Sequence, residues 1–426
     1  MTTAAGPALP TSLPPHYFHA MVKPAGATCN LDCQYCIFLS KEMLYPGHRF
    51  RMADDLLETY IRQLLESQPA GEVTLAWQGG EPTLMGLDFF RRSIEYVAKH
   101  LRDGTKVEHT IETNGIEVDD KWCEFFRRNN FLVSVSLDGP REVHDAYRTD
   151  KDGHPTFEKV MKAVRLLQRH GVKVNILTAV HAANADYPLD VYRFIRDDVR
   201  SRSIHLIPIV ERVTPTLLPL VDQGWGDREG DQRPLYLQKG DSVTKRSVTP
   251  EQWGRFLIEI FDEWITHDVG TLFVQMFDAA LASWLGAPPA MCLFAETCGN
   301  AVAVEHNGDV YSCNHFVEPQ YLLGNICRTH LLQIVSSDAQ HRFGTDKRDR
   351  LPKYCRECAV RFACHGECPK NRFITTPDGE PGLNYLCAGY KAFFTHIDRP
   401  MRLMADLFQG GPYAGEAMAM LTSTEA

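Results

Sequence analysis

Short apolar runs alternate with longer amphipathic segments along the first half of the chain. The apolar runs have the length of buried strands, and the amphipathic segments repeat apolar residues every three or four positions, which predicts helices. One example, FEKVMKAVRLLQRHG at 157–171, ends in a glycine that is typical of a helix stop. The predicted strands are 17–23, 73–77, 107–113, 132–137, 173–180 and 203–210. The predicted helices are 53–67, 87–101, 119–130, 156–170 and 186–200.

This alternation predicts an α/β fold. Six strand–helix repeats in about 200 residues indicate a parallel sheet with helices outside it, either open or curled into a partial (β/α)6 barrel. In such folds the ligand groups collect at the carboxyl ends of the strands.

The later part of the chain loses this rhythm. Residues 211–250 are polar and rich in glycine, so they predict a long loop, and helical patterns return at 251–267 and 273–285. Cysteine-rich sequence then replaces long periodic segments. The predicted organisation is a flexible tail at 1–15, a barrel at 16–210, a loop and linker helices at 211–289, a cysteine-rich domain at 290–400 and a C-terminal helix and tail at 401–426.

Composition excludes several classes of protein. The 426 residues carry a net charge of −9, which argues against a nucleic-acid-binding surface as the main purpose. No apolar run reaches the roughly 18 residues of a membrane span, and the N-terminus has no secretory pattern. We therefore expect a cytoplasmic protein without nucleic-acid or membrane partners.

Thirteen cysteines are the strongest chemical signal in the sequence. In the cytoplasm disulfides are disfavoured, so clustered cysteines indicate metal binding. One group lies near the start and eight cysteines crowd the last third. Cys123 and Cys327 stand alone, and we expect both to be small buried apolar residues.

Cys29, Cys33 and Cys36 form C-x3-C-x2-C directly after the first predicted strand. A [4Fe–4S] cluster closed by protein needs four thiolates, so three leave one iron open to another ligand. Zinc is the alternative, but a structural zinc site needs a nearby fourth ligand, and the next histidine, His48, is about 12 residues on.

The motif C-x3-C-x-aromatic-C resembles the signature of the radical S-adenosylmethionine (SAM) superfamily, and the resemblance extends over 17–210. WQGGEP at 77–82, TNG at 113–115, SLDGP at 136–140 and HDAYR at 144–148 follow in order near strand ends. The resemblance implies that the backbone and glutamate of GGE hold the SAM amino group, while other residues contact its ribose or carboxylate. The implied SAM-binding residues are Tyr35, Gly79, Gly80, Glu81, Asn114, Ser136 and Arg148.

The resemblance also implies the chemistry. SAM chelates the open iron, one electron cleaves its sulfonium bond, and the 5′-deoxyadenosyl radical abstracts a hydrogen atom from an unactivated C–H group. The protein positions and shields these species.

Eight later cysteines are enough to close two more [4Fe–4S] clusters. Their spacing resembles the SPASM extension of radical SAM enzymes that modify peptides, and two structural zinc sites are the alternative. The resemblance implies two interleaved sets: an inner set of Cys292, Cys298, Cys313 and Cys368, and an outer set of Cys355, Cys358, Cys364 and Cys387. Closed clusters cannot bind SAM, so we expect them to carry an electron away from a substrate radical.

Across nearly the whole chain the sequence resembles the anaerobic sulfatase-maturating enzymes, for example in YPGHRFRM, VTPEQWGRF and CRECAVRFACHGECPKNRF. The resemblance implies oxidation of a cysteine or serine side chain of a sulfatase to Cα-formylglycine, with a flavodoxin- or ferredoxin-type reductant. The alternative is maturation of a ribosomally synthesised precursor peptide, by a crosslink or an oxidised residue, on the same scaffold.

Three positions depart from that family's pattern near the expected substrate. Asn314 stands where the family has an aspartate base, and an amide cannot act as a base near neutral pH. Phe38 replaces a tyrosine, and Glu112 replaces the glutamine of QTNG. Glu112 is a candidate for the displaced base and His315 is another; the alternatives are a strand-end glutamate with a structural partner and a structural histidine.

Overall fold

The computed structural model describes residues 7, 13–14, 16–226 and 234–410. Its centre is a ten-stranded sheet whose first six strands run parallel to one another in chain order. These strands are β1 (His19–Lys23), β2 (Gly71–Trp77), β3 (Thr105–Thr113), β4 (Leu132–Ser136), β5 (Lys173–Val180) and β6 (Ser203–Pro208).

Each strand coincides with a predicted strand to within two residues at either end. The helices that follow them lie where the periodicity places them, except the short helix at Arg141–Asp145, which was not predicted. They are α1 (Asp54–Ser67), α2 (Leu87–His100), α3 (Asp120–Arg128), α4 (Arg141–Asp145), α5 (Phe157–Arg169) and α6 (Pro188–Arg193). The last predicted helix, 186–200, is divided, because α6 continues as a π-helical turn over Phe194–Asp198.

The segment 211–250, expected to be a long loop, contains short regular elements in the residues that the structure describes. They are β7 (Arg212–Val213), α7 (Leu218–Val221) and β8 (Ser242–Val243). Trp225 and Tyr236 pack edge to face and are both about 1% exposed, with Val213 and Val221 beside them. This segment therefore has a small apolar core, which its largely polar composition did not reveal. Residues 227–233 lie outside the described part.

The linker elements agree closely with the sequence patterns. They are α8 (Pro250–His267), β9 (Phe273–Val274) and α9 (Gln275–Trp284). Thr249 caps α8 in a reciprocal capping box with Gln252. Strand β9 pairs in parallel with β6 and forms one edge of the sheet.

The cysteine-rich region joins the barrel through the opposite edge. Its first strand, β10 (Ala301–Glu305), pairs in parallel with β1, and β11 (Asp309–Tyr311) and β12 (Leu322–Asn325) continue the same sheet. A buried ion pair, Lys23 Nζ to Glu305 Oε1 at 3.3 Å, joins β1 to β10. The two predicted units thus share one continuous sheet, although their boundary near residue 290 stays a prediction.

Short helices and one hairpin complete this region. They are α10 (Leu331–Val335), α11 (Asp338–Asp349), α12 (Lys353–Arg356), α13 (Arg361–Cys364), β13 (Arg372–Thr375), β14 (Pro381–Asn384), α14 (Cys387–His396) and α15 (Asp398–Gly410). Most of the predicted N-terminal tail and the end of the C-terminal one lie outside the described residues.

Two smaller expectations have different outcomes. Cys123 is fully buried in the core, as predicted, whereas Cys327 is exposed, so the expectation for Cys327 was wrong. Cys327 lies in a loop just after the edge strand β12. In the described ranges we find no helix with the length and apolarity that a bilayer crossing requires.

Candidate active site

One cavity of about 210 Å³ opens at the carboxyl ends of the barrel strands. It is lined by the loops after β1 and β2, by the ends of β3 to β6 and by the cysteine-rich region. Most of the predicted catalytic and SAM-binding residues lie on its wall, namely Cys29, Cys33, Tyr35, Cys36, Gly79, Gly80, Glu112, Asn114, Ser136, Arg148 and His315. The barrel and the cysteine-rich region therefore form a single site.

The three N-terminal cysteines lie on the loop after β1 and face this cavity. Burial raises the pKa of Cys29 and Cys36, and raises the pKa of Cys33 to about 12, so all three would be protonated as free thiols. A thiolate at Cys33 or Cys36 would raise the pKa of Cys29 further, which indicates that the three sulfurs lie near one another. Three converging thiols in a dry pocket fit a metal cluster, whose cationic irons would favour the thiolate form.

Gly79 and Gly80 are needed where the loop after β2 crosses the cysteine loop. The Gly80 N–H donates to the Gly26 carbonyl at 2.8 Å, and the Glu81 N–H donates to the Thr28 carbonyl at 2.8 Å. A Cβ on Gly80 would lie 2.0 Å from the Thr28 oxygen. The two loops can approach this closely only without a side chain at that position.

Glu81 joins strand ends instead of lining the cavity. Its carboxylate accepts bonds from the Asn114 N–H at 2.8 Å, the Thr113 hydroxyl at 2.9 Å, and the N–H and hydroxyl of Thr83 at 3.0 and 2.6 Å. The side chain is fully buried, and burial raises its pKa against the lowering effect of these bonds. In this structure Glu81 positions Asn114, whose amide lies 2.8 Å from the Asn30 side chain and 3.5 Å from the Cys29 sulfur.

Asp138, which sequence reasoning did not single out, is the centre of a second network. Burial alone would raise its pKa, but Arg148 and His181 hold that pKa well below the usual range. Arg148 donates to both carboxylate oxygens, at 2.8 and 3.1 Å, and the Tyr35 hydroxyl donates to one of them at 2.6 Å. Arg148 and Tyr35 are thereby fixed on the cavity wall; the available signal was an acidic residue directly after a strand, in SLDGP.

A hydrogen-bonded chain connects two of the departures from the family pattern. The Gln78 amide donates to Glu112 Oε1 at 2.8 Å, and the Asn314 amide donates to Gln78 Oε1 at 3.5 Å. Burial raises the pKa of Glu112 to about 7. Gln78 was missed by sequence reasoning, although its place between strand β2 and GGE was visible.

His315, Phe38 and Lys370 lie on the cavity wall as well. Burial, with Lys370 and Lys23 nearby, holds the pKa of His315 well below its usual value, so this imidazole is neutral. The Lys23 ammonium lies 4.7 Å from the centre of the Phe38 ring, where it forms a cation–π interaction.

The outer cysteine set is gathered around a separate small cavity. Tyr390 and Lys391 from α14 also line it, together with the four cysteines of that set, Cys355, Cys358, Cys364 and Cys387. Burial raises the pKa of Cys364 to about 12 and that of Cys387 to about 11, with a further rise from neighbouring thiols. The four thiols can close one cluster.

The inner set is linked to the active-site cavity by His315 and Lys370, which line the cavity and lie two residues after Cys313 and Cys368. Burial raises the pKa of Cys313 to about 12, and the charges of Cys292 and Cys298 raise it further. Burial raises the pKa of Cys368 well above its usual value, and the charges of Glu367, Cys313 and Cys298 raise it further. The thiols that raise one another's pKa fall in the same set of the interleaved pairing that the resemblance implies, and four thiols suit a [4Fe–4S] cluster.

The 211–250 segment forms one wall of the cavity through Glu211. Its carboxylate accepts from the fully buried Arg246 at 2.8 and 3.0 Å and from the Thr244 hydroxyl at 2.6 Å. Arg246 also donates to the carbonyls of Val221 and Asp222. The predicted loop is therefore anchored beside the site.

Comparison with known proteins agrees with this architecture. Residues 24–195 match the radical SAM superfamily and residues 292–359 match the SPASM iron–sulfur cluster-binding domain. The chain is 46% identical, over 91% of both proteins, to a serine-type anaerobic sulfatase-maturating enzyme of Bacteroides thetaiotaomicron. It is 30% identical, over 88% of this chain and 95% of the relative, to a cysteine-type enzyme of Clostridium perfringens.

A solved structure shares the fold over nearly its whole length. Native anSMEcpe with bound AdoMet and Kp18Cys peptide superposes with a TM-score of 0.77 at 28% identity, covering 92% of this chain and 99% of that one.

Proposed function

Since the chain belongs to the radical SAM, SPASM-containing family of anaerobic sulfatase-maturating enzymes, we propose that it oxidises a seryl residue of a sulfatase to Cα-formylglycine. The 46% identity to a serine-type relative favours serine. The observation that carries the proposal is the shared cavity, where the SAM-cluster cysteines face a carboxylate of pKa about 7.

The oxidation removes one hydrogen atom, one proton and one electron, which converts –CH2OH to –CHO. When bound, SAM and the first cluster supply the radical that takes the hydrogen atom from Cβ, and the auxiliary clusters supply the acceptor for the electron. The chain's own residues must position the substrate, exclude water and receive the hydroxyl proton.

We assign the proton acceptor role to Glu112. A general base works best when its pKa lies near the operating pH, and burial brings Glu112 into that range. Asn314, at the position of the usual base, reaches Glu112 through Gln78. In the family pattern the amide stands at position 112 and the carboxylate at position 314, and here the two are exchanged. The hydrogen-bonded row of side chains therefore still contains a base.

Replacing Glu112 by glutamine tests this role. We expect E112Q to lower the rate of formylglycine formation by about 10²–10⁴-fold, because the amide cannot take the proton. 5′-Deoxyadenosine should still form, since the cysteine loop is untouched. E108Q, earlier on β3 and away from the cavity wall, is the matched control.

The pH profile gives the same test a second readout. Glu112 becomes the carboxylate as the pH rises through about 7, so the rate should rise over that interval in the native enzyme and not in E112Q. The other titratable groups of the cavity are present in both proteins, so they do not account for a difference between the two profiles. They are Cys29, Cys33, Cys36, Tyr35, Arg148, Glu211, His315 and Lys370. An unchanged rate and profile in E112Q would leave His315 as the base.

The function itself is tested with anaerobically reconstituted protein, reductant, SAM and peptides carrying Ser-x-Pro-x-Arg or Cys-x-Pro-x-Arg. Peptide mass and 5′-deoxyadenosine are followed together. We expect faster loss of 2 Da from the serine peptide than conversion of the cysteine peptide. Deoxyadenosine without any change in either peptide would favour maturation of a precursor peptide.

We also propose that the protein works in the cytoplasm with a flavodoxin- or ferredoxin-type reductant. Reduction of the first cluster needs a low-potential single electron, which such carriers provide. Thirteen cysteines as cluster ligands and free thiols suit a reducing compartment.

A further inference from the structure

A buried lysine lies directly behind the inner cysteine set. Lys347 on α11 is about 1% exposed, and its Nζ donates to the carbonyls of Cys292, Leu293 and Ala295 at 2.8, 2.8 and 2.5 Å. Three acceptors around one nitrogen require three N–H donors, which only the ammonium form possesses. The geometry therefore places a positive charge here.

This charge lacks an ordinary counter-ion. Among the described residues Lys347 forms no ion pair with a carboxylate, although an isolated buried charge is strongly disfavoured. The anionic groups that act on it are Cys298, Cys368 and Cys292, three of the four inner cysteines. The inner thiolates therefore compensate the charge of Lys347.

The outer set has a different electrostatic environment. Arg372 is shared by both sets, because it donates to the carbonyls of His365, Gly366 and Glu367, in the segment that connects Cys364 of the outer set to Cys368 of the inner set. Two further cations line the outer cavity, Lys391, which is exposed, and Arg361, which is partly exposed, so water screens their charges. The buried ammonium of Lys347 therefore favours negative charge on the inner set over negative charge on the outer set.

We propose that Lys347 is a positioning residue that raises the reduction potential of the inner cluster. Reduction adds negative charge to a cluster, and a fixed positive charge in a dry environment stabilises the reduced state. The inner cluster lies beside the substrate cavity, so a raised potential there favours it as the first electron acceptor. The inference rests on the proposed function for its meaning, but its test needs no substrate.

The test is an EPR-monitored redox titration of the reconstituted enzyme without SAM or peptide, with the inner signal assigned by its loss in C298A. We expect the inner potential of K347Q to fall by at least about 59 mV, which is a tenfold change in a one-electron equilibrium. K347R keeps the charge and should stay near the native potential. R350M removes an exposed charge at the end of the same helix and should shift nothing.

Iron content is measured on every variant. Three outcomes would overturn the proposal: an unchanged inner potential in iron-replete K347Q, an equal shift in K347Q and K347R, or loss of the inner cluster in K347Q. Loss of the cluster would mean that Lys347 only supports the structure around it. If the potential shifts as expected while no peptide is oxidised, the electrostatic role stands and the proposed substrate falls.

Discussion

At the scale of single residues, Asp138 shows how one carboxylate can organise a site that it does not line. It is fully buried and fixes Arg148 and Tyr35 while accepting from the Ala179 N–H at 3.0 Å. Glu81 does the same for Asn114. Both acids belong to motifs that sequence reasoning recognised, yet their contacts are with protein groups, because each lies one layer behind the cavity wall.

Asp138→Asn should therefore destabilise the protein and weaken SAM binding together. The substitution leaves Arg148 buried without its counter-charge, a change that typically costs about 3–5 kcal/mol. The free energy of unfolding comes from anaerobic denaturation, and SAM affinity comes from equilibrium binding. D120N, which affects an exposed ion pair with His170, is the control. Native-like stability in D138N would show that Arg148 finds another partner.

At the scale of elements, close backbone crossings decide the geometry. The loop after β2 lies against the cysteine loop at Gly80, and α8 crosses α14 where a Cβ on Gly254 would lie 2.8 Å from Gly389. Periodicity located these elements well, because the burial of one face fixes a helix or strand. It could not identify the crossings, since glycine in a sequence is equally typical of an ordinary turn.

Gly80→Ala should release the first cluster selectively. Its Cβ would overlap the Thr28 carbonyl, so the cysteine loop must move away from the loop after β2. With about four irons per cluster, we expect iron to fall from about twelve to about eight per protein and 5′-deoxyadenosine formation to be lost. Iron analysis and the cluster absorbance measure this.

Gly86→Ala is the matched control for that substitution. Gly86 has φ +79°, so alanine is strained there, but nothing lies within 4 Å of the added Cβ. Full iron content in G80A would show that the loops tolerate separation.

At the scale of the whole molecule, the shared ten-stranded sheet places the inner cysteine set beside the active-site cavity. The cysteine-rich region has few long helices, and its short elements meet at the two cysteine sets. We therefore expect the clusters to contribute much of its stability, as structural metal sites do. The barrel has a large apolar core independent of metal.

Removing iron should then loosen one part of the molecule and spare the other. In hydrogen-exchange mass spectrometry of the chelated protein, residues 353–371 should lose protection while β4 and β5 retain it. The reconstituted protein is the reference. Equal loss across both regions would mean that the sheet unfolds as a single cooperative unit.

The sequence by itself predicted the order of the barrel strands and most of their helices, because periodicity is a local property, and its motifs and cysteine spacing indicated the family. It also flagged Glu112 and Asn314 as departures. Only the tertiary structure connected those two residues through Gln78, placed Lys347 behind the inner cysteines and joined the two regions through β1 and β10. Such relations join residues that are distant in the chain, so no local pattern records them; they arise when the sheet brings strand ends together and excludes water.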